Sequence, residues 1–488
     1  MTNDAGWRFD NSYARLPDPL LSRETPERVR APRLVVFNDQ LAADLGLDGG
    51  QLREQADLFA GNTLPVGSDP IAQAYAGHQF GHFTNLGDGR AMLLGEQITP
   101  AGERFDIQLK GSGPTRFARR GDGRAALGPM LREYIISEGM QALGVPTTRS
   151  LAVAATGEVV MREKPLPGAV LTRVAASHIR VGTFQLAAAM GDRSLPEKLL
   201  AHAIGRHDPE LADAAEPALA FFEAVVERQA ALIARWMLVG FVHGVMNTDN
   251  MAVSGETIDY GPCAFLDTYD PATVFSSIDQ QGRYAYGNQP GIAQWNLARL
   301  AESLLPLMTL DEEKAVAAVR EVLERFTDRY RQHFAAGARQ KLGLATDEEA
   351  DPQLFADLLE QMHRDRADFT GTFAQLAALA EAPTLADCGT HLPPGVSGEW
   401  LGRWRERLAG EQGGGAEAAK RMQRVNPQVI PRNHKVEEAL AAAEFGDLQP
   451  LARLLDVLGR PFEATPENEP YRSGPPVGCG PYRTFCGT

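Results

Sequence analysis

The sequence predicts an α+β fold of two lobes, a β-rich N-terminal lobe and a helical C-terminal lobe, with an extension at each end. Three observations predict it. Strand and loop signals prevail from about residue 75 to 162, interrupted by one helix. Beyond about residue 185, apolar residues recur at helical spacing. Between two of those helical stretches, residues 243–261 form a polar segment rich in Asn and Asp.

These signals divide the chain into four parts. Residues 1–75 mix short helices with Pro-rich loops and are expected to pack on the main body as an extension. The N-terminal lobe is predicted at 76–182 and the helical lobe at 183–460. The remainder, 461–488, is rich in Pro and Gly and is predicted to be an irregular tail. Helices of the second lobe are predicted over 217–238, 293–335, 352–381 and 434–458, with a flexible break at 413–415.

Composition excludes several classes of protein. With 488 residues, 44% of them hydrophobic, the chain can bury a sizeable core. A net charge of −15 argues against nucleic-acid or anionic-membrane binding, which requires a basic surface. The sequence has no long uncharged apolar run, so no membrane span is expected. The N-terminus does not resemble a signal or transit peptide. Four cysteines are too few for a disulfide scaffold in a chain of this length. We therefore expect a cytoplasmic protein.

The polar segment has the spacing of a protein-kinase catalytic loop. His and Asn of H-R-D-x-x-x-x-N match His243 and Asn250, and Asp259-Tyr260-Gly261 occupies the place of D-F-G. Val245 stands where a kinase has its catalytic Asp, and valine cannot accept a proton. Asp249 is the only carboxylate inside the loop. The pattern predicts a protein-kinase-like architecture that retains metal and nucleotide binding but performs altered chemistry.

A metal site is predicted at the end of this segment. Residues 251–254 and 257–260 are typical of two short strands, and Gly255-Glu256 suits a type II′ hairpin turn. The hairpin would bring Asn250 and Asp259 together at its open end. Amide and carboxylate oxygens suit Mg²⁺, which completes its shell with waters and phosphates. The alternative is an ordinary polar hairpin, and the kinase-like spacing upstream favours the metal.

Phosphate-binding residues are predicted in the N-terminal lobe. Residues 104–110 alternate like a strand that ends in Lys110, and the next helix, about 128–143, carries Glu133. A strand Lys paired with a helix Glu positions the nucleotide in kinases, although a surface ion pair is the alternative. The glycine loop 86–90 could bring backbone N–H groups to phosphate oxygens, but ordinary turns use the same residues.

An insert at 111–124 separates Lys110 from Glu133. It holds four arginines and four glycines in an otherwise acidic protein, so it suits a polyphosphate, with a solvated basic loop as the alternative. Arg173 and Arg180 flank the junction of the two predicted lobes, from where they could reach a phosphate.

Several long motifs together resemble the selenoprotein O family, whose bacterial members are also called YdiU. They are Lys-Gly-Ser-Gly-Pro-Thr at 110–115, Arg-Gly-Asp-Gly-Arg at 120–124, Arg-Glu-Tyr at 132–134, the 243–250 loop and Asp-Tyr-Gly-Pro at 259–262. The resemblance covers nearly the whole chain. It implies a protein-kinase-like fold that transfers AMP from ATP to Ser, Thr or Tyr hydroxyls of proteins and releases pyrophosphate. Some bacterial members are associated with UMP transfer and Mn²⁺.

The resemblance also implies roles for individual residues. Asp249 would accept the proton, Asn250 and Asp259 would hold Mg²⁺ or Mn²⁺, and Glu133 would pair with Lys110. The implied nucleotide-binding residues are Gly87, Gly89, Arg90, Lys110, Asp122, Gly123, Arg173 and Arg180.

Cysteines near the C-terminus add a possible redox function. Eukaryotic members of the family end in a selenocysteine, and Cys486 occupies the corresponding place. Cys479 precedes it, and Cys263 beside the Asp-Tyr-Gly is one candidate partner for a bond to the tail. The sequence does not decide the pairing, and a reduced tail cysteine is the alternative.

Three functions compete at this point. AMP transfer from ATP is the first, with UMP transfer from UTP as a variant. The second is kinase-type phosphoryl transfer, against which Val245 counts. The third is a non-catalytic pseudokinase scaffold, which would have no need of the metal ligands. The expected partners are ATP and proteins bearing Ser, Thr or Tyr, with no nucleic acid and no membrane.

Overall fold

The protein combines one large antiparallel sheet with many helices. A computed structural model describes residues 5–382, 392–476, 478, 480 and 482–484. The strands are β1 (Leu21–Arg23), β2 (Arg33–Phe37), β3 (Ile71–Gln73), β4 (Ala76–Gln79), β5 (His82–Asn85), β6 (Ala91–Ile98), β7 (Arg104–Lys110), β8 (Ala125–Ala126), β9 (Arg149–Met161), β10 (Pro165–Ala175), β11 (Phe241–Val242) and β12 (Ala264–Phe265). The first helices are α1 (Asp39–Asp44), α2 (Gly49–Leu52), α3 (Ala56–Phe59) and α4 (Leu127–Ala142).

Helices dominate the chain after the sheet. They are α5 (Val181–Ala189), α6 (Ser194–His207), α7 (Pro217–Val239), α8 (Gln289–Leu304), α9 (Glu312–Lys341), α10 (Asp351–Arg364), α11 (Phe369–Glu381), α12 (Gly398–Ala409), α13 (Gly414–Gln423), α14 (Asn433–Glu444), α15 (Gln449–Leu458) and α16 (Glu469–Arg472). In the part of the chain that the structure describes, no helix is both long and apolar enough to cross a membrane.

The large sheet has the strand order β1-β3-β6-β7-β10-β9-β2, and β8 pairs with β10 off this path. Strand β7 lies in the middle and ends at Lys110, which stands opposite Ala91 of β6 and Leu171 of β10. The predicted strand ending in Lys110 is thus confirmed. Strands β1 and β2 form the two ends of this order, so the first 75 residues contribute to the sheet itself.

Helix α7 brings the chain to the polar segment. Its apolar positions, among them Phe222, Val226 and Trp236, are buried at the predicted helical spacing. One face of the helix therefore packs against the core. The helix ends at Gly240, which adopts a left-handed conformation (φ 73°) that a residue without Cβ takes at little cost. The chain then enters β11, which pairs with β12 and leads into residues 243–250.

The predicted hairpin at 251–260 is wrong. Ala252 pairs with Arg180, and Thr257 pairs with Thr147, so the two flanks of the turn bond to different segments. The turn at Gly255 exists, with φ of 79°, but it does not join two paired strands. Buried backbone groups must find partners, and here segments far away in the sequence provide them instead of the neighbouring flank.

Candidate active site

The predicted site residues line one cleft of about 510 Å³. The glycine loop and the insert form one side, and residues 245–262 form the opposite side. The structure therefore brings together every residue predicted for catalysis, nucleotide binding or metal binding: Gly87, Gly89, Arg90, Lys110, Asp122, Gly123, Arg173, Arg180, Asp249, Asn250 and Asp259. Their roles stay predictions at this point.

Lys110 and Glu133 form the expected ion pair, which lies at the back of the cleft. The Nζ of Lys110 donates to Glu133 Oε2 at 2.6 Å, and Arg173 Nε donates to the other carboxylate oxygen at 2.5 Å. Antiparallel pairing of β7 with β10 places Lys110 and Arg173 near each other. Burial, reinforced by the cation of Arg173, lowers the pKa of Lys110. The pair is buried, so it is not the surface ion pair of the alternative interpretation.

Asp259 lies among three cations. Its Oδ1 accepts from Arg173 and, at 3.3 Å, from Lys110, while Oδ2 lies 3.4 Å from a guanidinium nitrogen of Arg180. Burial alone would raise the pKa of this carboxyl, but the three cations outweigh it and hold the pKa well below its usual range. The backbone at Asp259 has φ of 62°, a conformation that costs a non-glycine residue energy and often marks functional sites.

Asp249 sits in a short 3₁₀ turn at Thr248–Asn250 and is only 7% exposed. Its Oδ1 is buried without a hydrogen-bond partner. Burial raises the pKa of Asp249 to about 6, against the opposing charge of Arg180. A carboxylate with a raised pKa that lines a cleft has the properties of a general base.

A glycine of β4 makes room for this carboxylate. A Cβ atom added at Gly77 would lie 2.1 Å from Asp249 Oδ1. The same strand is fixed to the loop by His78, whose backbone N–H donates to Thr248 Oγ1 at 2.7 Å. The small hairpin β4–β5 therefore packs directly on the proposed base.

Asn250 and Asp259 fit a divalent cation as oxygen donors. The amide nitrogen of Asn250 donates to the Val245 carbonyl at 2.9 Å, which leaves its amide oxygen for a ligand in the cleft. Among the described residues, no group of three or more His, Cys, Asp or Glu side chains could hold a metal. A cation here would therefore take much of its shell from water and phosphate, as Mg²⁺ commonly does.

The glycine loop packs against the insert. A Cβ added at Gly87, whose φ is 139°, would lie 2.4 Å from the Phe117 ring, and one at Gly89 would lie 3.0 Å from the Phe117 carbonyl. Asp88 between them is buried and accepts from Gln108 Nε2 at 3.0 Å. Residues 117 and 118 thus approach both glycines closely, and an added Cβ would clash at Gly87 and be crowded at Gly89.

The insert forms ion pairs with residues outside it. Asp122 accepts from both terminal nitrogens of Arg162, at 2.8 and 3.1 Å, and these bonds lower the pKa of Asp122. Gly123 has φ of 66°, and an added Cβ there would lie 1.9 Å from the Pro114 nitrogen. Arg124 forms an ion pair with Glu27 at 3.0 Å, so one of the four arginines already has a carboxylate partner.

Sequence reasoning missed two residues that line the cleft, Arg162 and Tyr75, and one that packs on Asp249, Gly77. Arg162 positions Asp122, yet an isolated Arg at the end of a strand carries no signal of that contact. Tyr75 lies under Arg180, with the guanidinium carbon 4.3 Å from the ring centroid. Gly77 did carry a signal, because glycine inside a strand often marks a close approach of another segment.

Of the cysteines predicted to take part in redox chemistry, Cys263 is a buried free thiol in the described part of the chain. Burial raises its pKa to about 12, which keeps it in the unreactive thiol form. Its carbonyl oxygen accepts from Arg132 at 2.8 Å. Cys479 and Cys486 lie outside the described residues, so their pairing stays a prediction.

Comparison with known proteins places this chain in a family. The family model described as "Protein adenylyltransferase SelO" matches residues 6–459. The protein nucleotidyltransferase YdiU of Geobacillus kaustophilus is 58% identical over 488 residues, covering 99% of this chain and 100% of that protein. The protein of the same name from Shouchella clausii is 57% identical over 491 residues and covers 100% of both chains. That of Rhizobium etli is 57% identical over 490 residues, covering 99% of this chain and 98% of its own. The chain therefore belongs to the SelO family of protein adenylyltransferases and is a nucleotidyltransferase.

Proposed function

We propose that the protein transfers AMP from ATP to Ser, Thr or Tyr hydroxyls of other proteins and releases pyrophosphate, with Mg²⁺ or Mn²⁺ as cofactor. The observation that carries this proposal is the position of Asp249. It is the carboxylate of the catalytic loop, and it lines the same cleft as the three buried cations. Val245 at the position of the kinase base supports a reaction that differs from phosphoryl transfer.

In the proposed reaction, the acceptor oxygen attacks the α-phosphorus of ATP. The bond from that phosphorus to the bridging oxygen of the β-phosphate breaks, and pyrophosphate leaves with the bonding electrons. Asp249 takes the hydroxyl proton, and the basic form of a carboxyl with pKa about 6 prevails at neutral pH. Lys110, Arg173 and Arg180 would neutralise the phosphates, with charge-assisted hydrogen bonds that strengthen as charge moves to the leaving group.

The glycine loop and the insert would hold the nucleotide in place, through Gly87, Gly89, Arg90, Asp122 and Gly123. Asn250 and Asp259 would hold the divalent cation, which screens phosphate charge and orients the phosphates when bound. The β-rich half with Lys110 and Glu133 and the helical half with residues 243–261 would form the two lobes of a protein-kinase-like fold around this cleft. The Lys110–Glu133 pair supports that arrangement.

The deciding experiment uses ATP labelled separately on the α- and γ-phosphates. The protein is incubated with Mg²⁺ or Mn²⁺ and with protein acceptors, including itself. We expect label on protein from the α-phosphate only. Label from γ would mean a kinase, and no label would mean a scaffold. UTP labelled on its α-phosphate tests the uridylyl variant in the same assay, where a stronger signal than from ATP would revise the nucleotide.

A matched variant ties that activity to Asp249. Asn in its place keeps the size of the side chain beside Gly77 but removes the basic oxygen. We expect Asp249→Asn to lower the transfer rate by ~10²–10⁴-fold, the usual worth of a general base. Nucleotide affinity by calorimetry should stay within a few-fold of the parent. Transfer at close to the parent rate would exclude Asp249 as the base.

A further inference from the structure

A second cavity of about 650 Å³ lies beside the nucleotide cleft. We call it the acceptor groove; its lining includes Phe80, His82, Ile278, Asp279, Arg283 and Ile292. Phe80 and Ile278 line both the groove and the cleft. The two cavities therefore share a wall, and a chain segment lying in the groove would reach the cleft by passing over these two side chains.

The shared wall is bonded to the catalytic loop. The backbone N–H of Phe80 donates to Asn247 Oδ1 at 3.2 Å, and the hydroxyl of Tyr284 donates to the same oxygen at 2.6 Å. The rings of Phe80 and Tyr284 also contact each other, with centroids 5.1 Å apart. Asn247 lies two residues before Asp249. A segment bound along this wall is consequently held at a fixed position relative to the proposed base.

The groove offers a cation that has no carboxylate partner. The guanidinium of Arg283 lies over Trp295, 4.9 Å from the ring centroid, and its Nε is buried without a hydrogen-bond partner. Within the described residues, Arg283 forms no ion pair. The neighbouring Asp279 forms no ion pair with its guanidinium; that carboxylate accepts from the backbone N–H groups of Arg283 and Tyr284, at 2.9 and 2.8 Å. Because Nε is buried, an incoming anion would bind the terminal N–H groups of this guanidinium, which lines the groove.

The rim of the groove is apolar. Ile278 is 54% exposed although it is a large hydrophobic residue, and Ile292 on the opposite side is partly buried. Exposed apolar surface beside a cation is typical of a site that binds part of another protein. The two features lie within one cavity that is continuous with the proposed active site.

We propose that the acceptor groove binds an extended segment of the protein substrate that carries an acidic side chain near the acceptor hydroxyl. Arg283 binds the carboxylate, Ile278 contacts the aliphatic part of the segment, and the hydroxyl passes over Phe80 toward Asp249. This inference rests on the proposed function, because it assigns the acceptor of that reaction. It predicts selectivity for acidic surroundings of the modified residue.

The test uses two synthetic random copolymers of matched length, one of Glu and Tyr and one of Gln and Tyr, because a neutral comparison polymer is not attracted to the acidic protein as a whole. Their binding to the whole protein is measured by fluorescence anisotropy, and their labelling is measured with ATP labelled on the α-phosphate. We expect the parent to bind and label the Glu–Tyr copolymer at least about tenfold better, since one charge-assisted contact is worth roughly that factor. Arg283→Glu should remove this preference, while ATP affinity remains unchanged.

A second pair of variants keeps the test valid if Arg283→Glu folds poorly. Ile278→Ser removes apolar surface from the exposed rim and should weaken binding of the Glu–Tyr copolymer by several-fold. Phe445→Ser is the matched control, because Phe445 is 92% exposed and does not line the groove, and it should have no effect.

The binding measurement separates this inference from the proposed function. Absence of α-label on every acceptor would refute AMP transfer, whereas Arg283-dependent binding of the Glu–Tyr copolymer would still support the groove. Equal binding of both copolymers by the parent would overturn the assignment of the groove. So would an unchanged preference in the well-folded Arg283→Glu variant, or unchanged binding of the Glu–Tyr copolymer by the Ile278→Ser variant.

Discussion

Gly77→Ala should disable the site by displacing Asp249. The added methyl carbon would lie 2.1 Å from Oδ1, 2.6 Å from Cγ and 2.9 Å from Cβ of Asp249, and Cβ atoms essentially never approach other atoms closer than 3.0 Å. Either the carboxylate or strand β4 must therefore move by about 1 Å. Because Asp249 is buried, it has little room to rotate away. Overpacking of this kind costs ~1–3 kcal/mol of stability.

The effect on catalysis should exceed the effect on stability. A misplacement of about 1 Å in a reacting group can cost on the order of 10²-fold in rate. The three atoms nearest the added Cβ all belong to Asp249, so ATP affinity should stay within a few-fold. We expect kcat for transfer of label from the α-phosphate to fall about 100-fold, with the Kd for ATP from calorimetry nearly unchanged.

Gly81→Ala in the turn of the same hairpin is the control. Gly81 has φ of 90°, so alanine strains the turn, but nothing lies within 4 Å of its added Cβ. This variant should lose some stability and keep its transfer rate within a few-fold. If Gly77→Ala transfers AMP as fast as Gly81→Ala does, the contact with Asp249 has no catalytic consequence and the reasoning is refuted.

Two further predictions concern the insert and the helical part. Arg162→Ala removes both hydrogen bonds to Asp122 and should raise the KM for ATP about tenfold, with little change in kcat. Arg193→Ala is the control: it breaks an exposed ion pair with Glu197 and should change neither KM nor kcat. An unchanged KM for ATP in Arg162→Ala would show that the loop keeps its shape without this pair. Burial lowers the pKa of Lys341 from 10.5 to about 7. Below pH 7 the side chain is charged in both the folded and the unfolded protein, so burying the charge lowers the free energy of unfolding by its full amount. Above pH 10.5 the side chain is neutral in both states, and this cost disappears. Lys341→Met, which can keep the contact with Phe373, should raise the free energy of unfolding by up to about 4 kcal/mol at about pH 6 and by much less at about pH 10, as measured by urea denaturation. An equal gain at both pH values would contradict the assigned pKa.

The parts of the site that depend on local periodicity could be predicted from the sequence. Alternation along 104–110 predicts the strand that ends in Lys110, and the helix that carries Glu133 is expected next along the chain. Their pairing is expected from the kinase arrangement and is present in the structure. Local periodicity also predicts α7, whose buried stripe fixes where the catalytic loop begins. The antiparallel pairing of β10 with β7 then places Arg173 near Lys110.

The contacts that could not be predicted join segments distant in the sequence. The turn at Gly255 has the local chemistry of a hairpin, yet Ala252 and Thr257 pair with Arg180 and Thr147. A local pattern specifies a turn, but it does not specify whether the flanks bond to each other or to other strands. Arg162 and Asp122 are likewise brought together only by the long strands β9 and β10, which return the chain to the insert.

The charges around Asp259 explain how the cleft can hold three buried cations and remain stable. Buried cations are costly unless anions accompany them, and Glu133 and Asp259 supply these for Lys110 and Arg173. Arg180 shares Asp259 at 3.4 Å and lies 3.8 Å from Asp88. Under the proposed function, an incoming triphosphate offers the same cations new anionic oxygens, so Asp259 can give up its ion pairs without leaving a buried cation unpaired. The carboxylate thus changes from a partner of the cations to an oxygen donor, and its affinity for a divalent cation should depend on bound nucleotide.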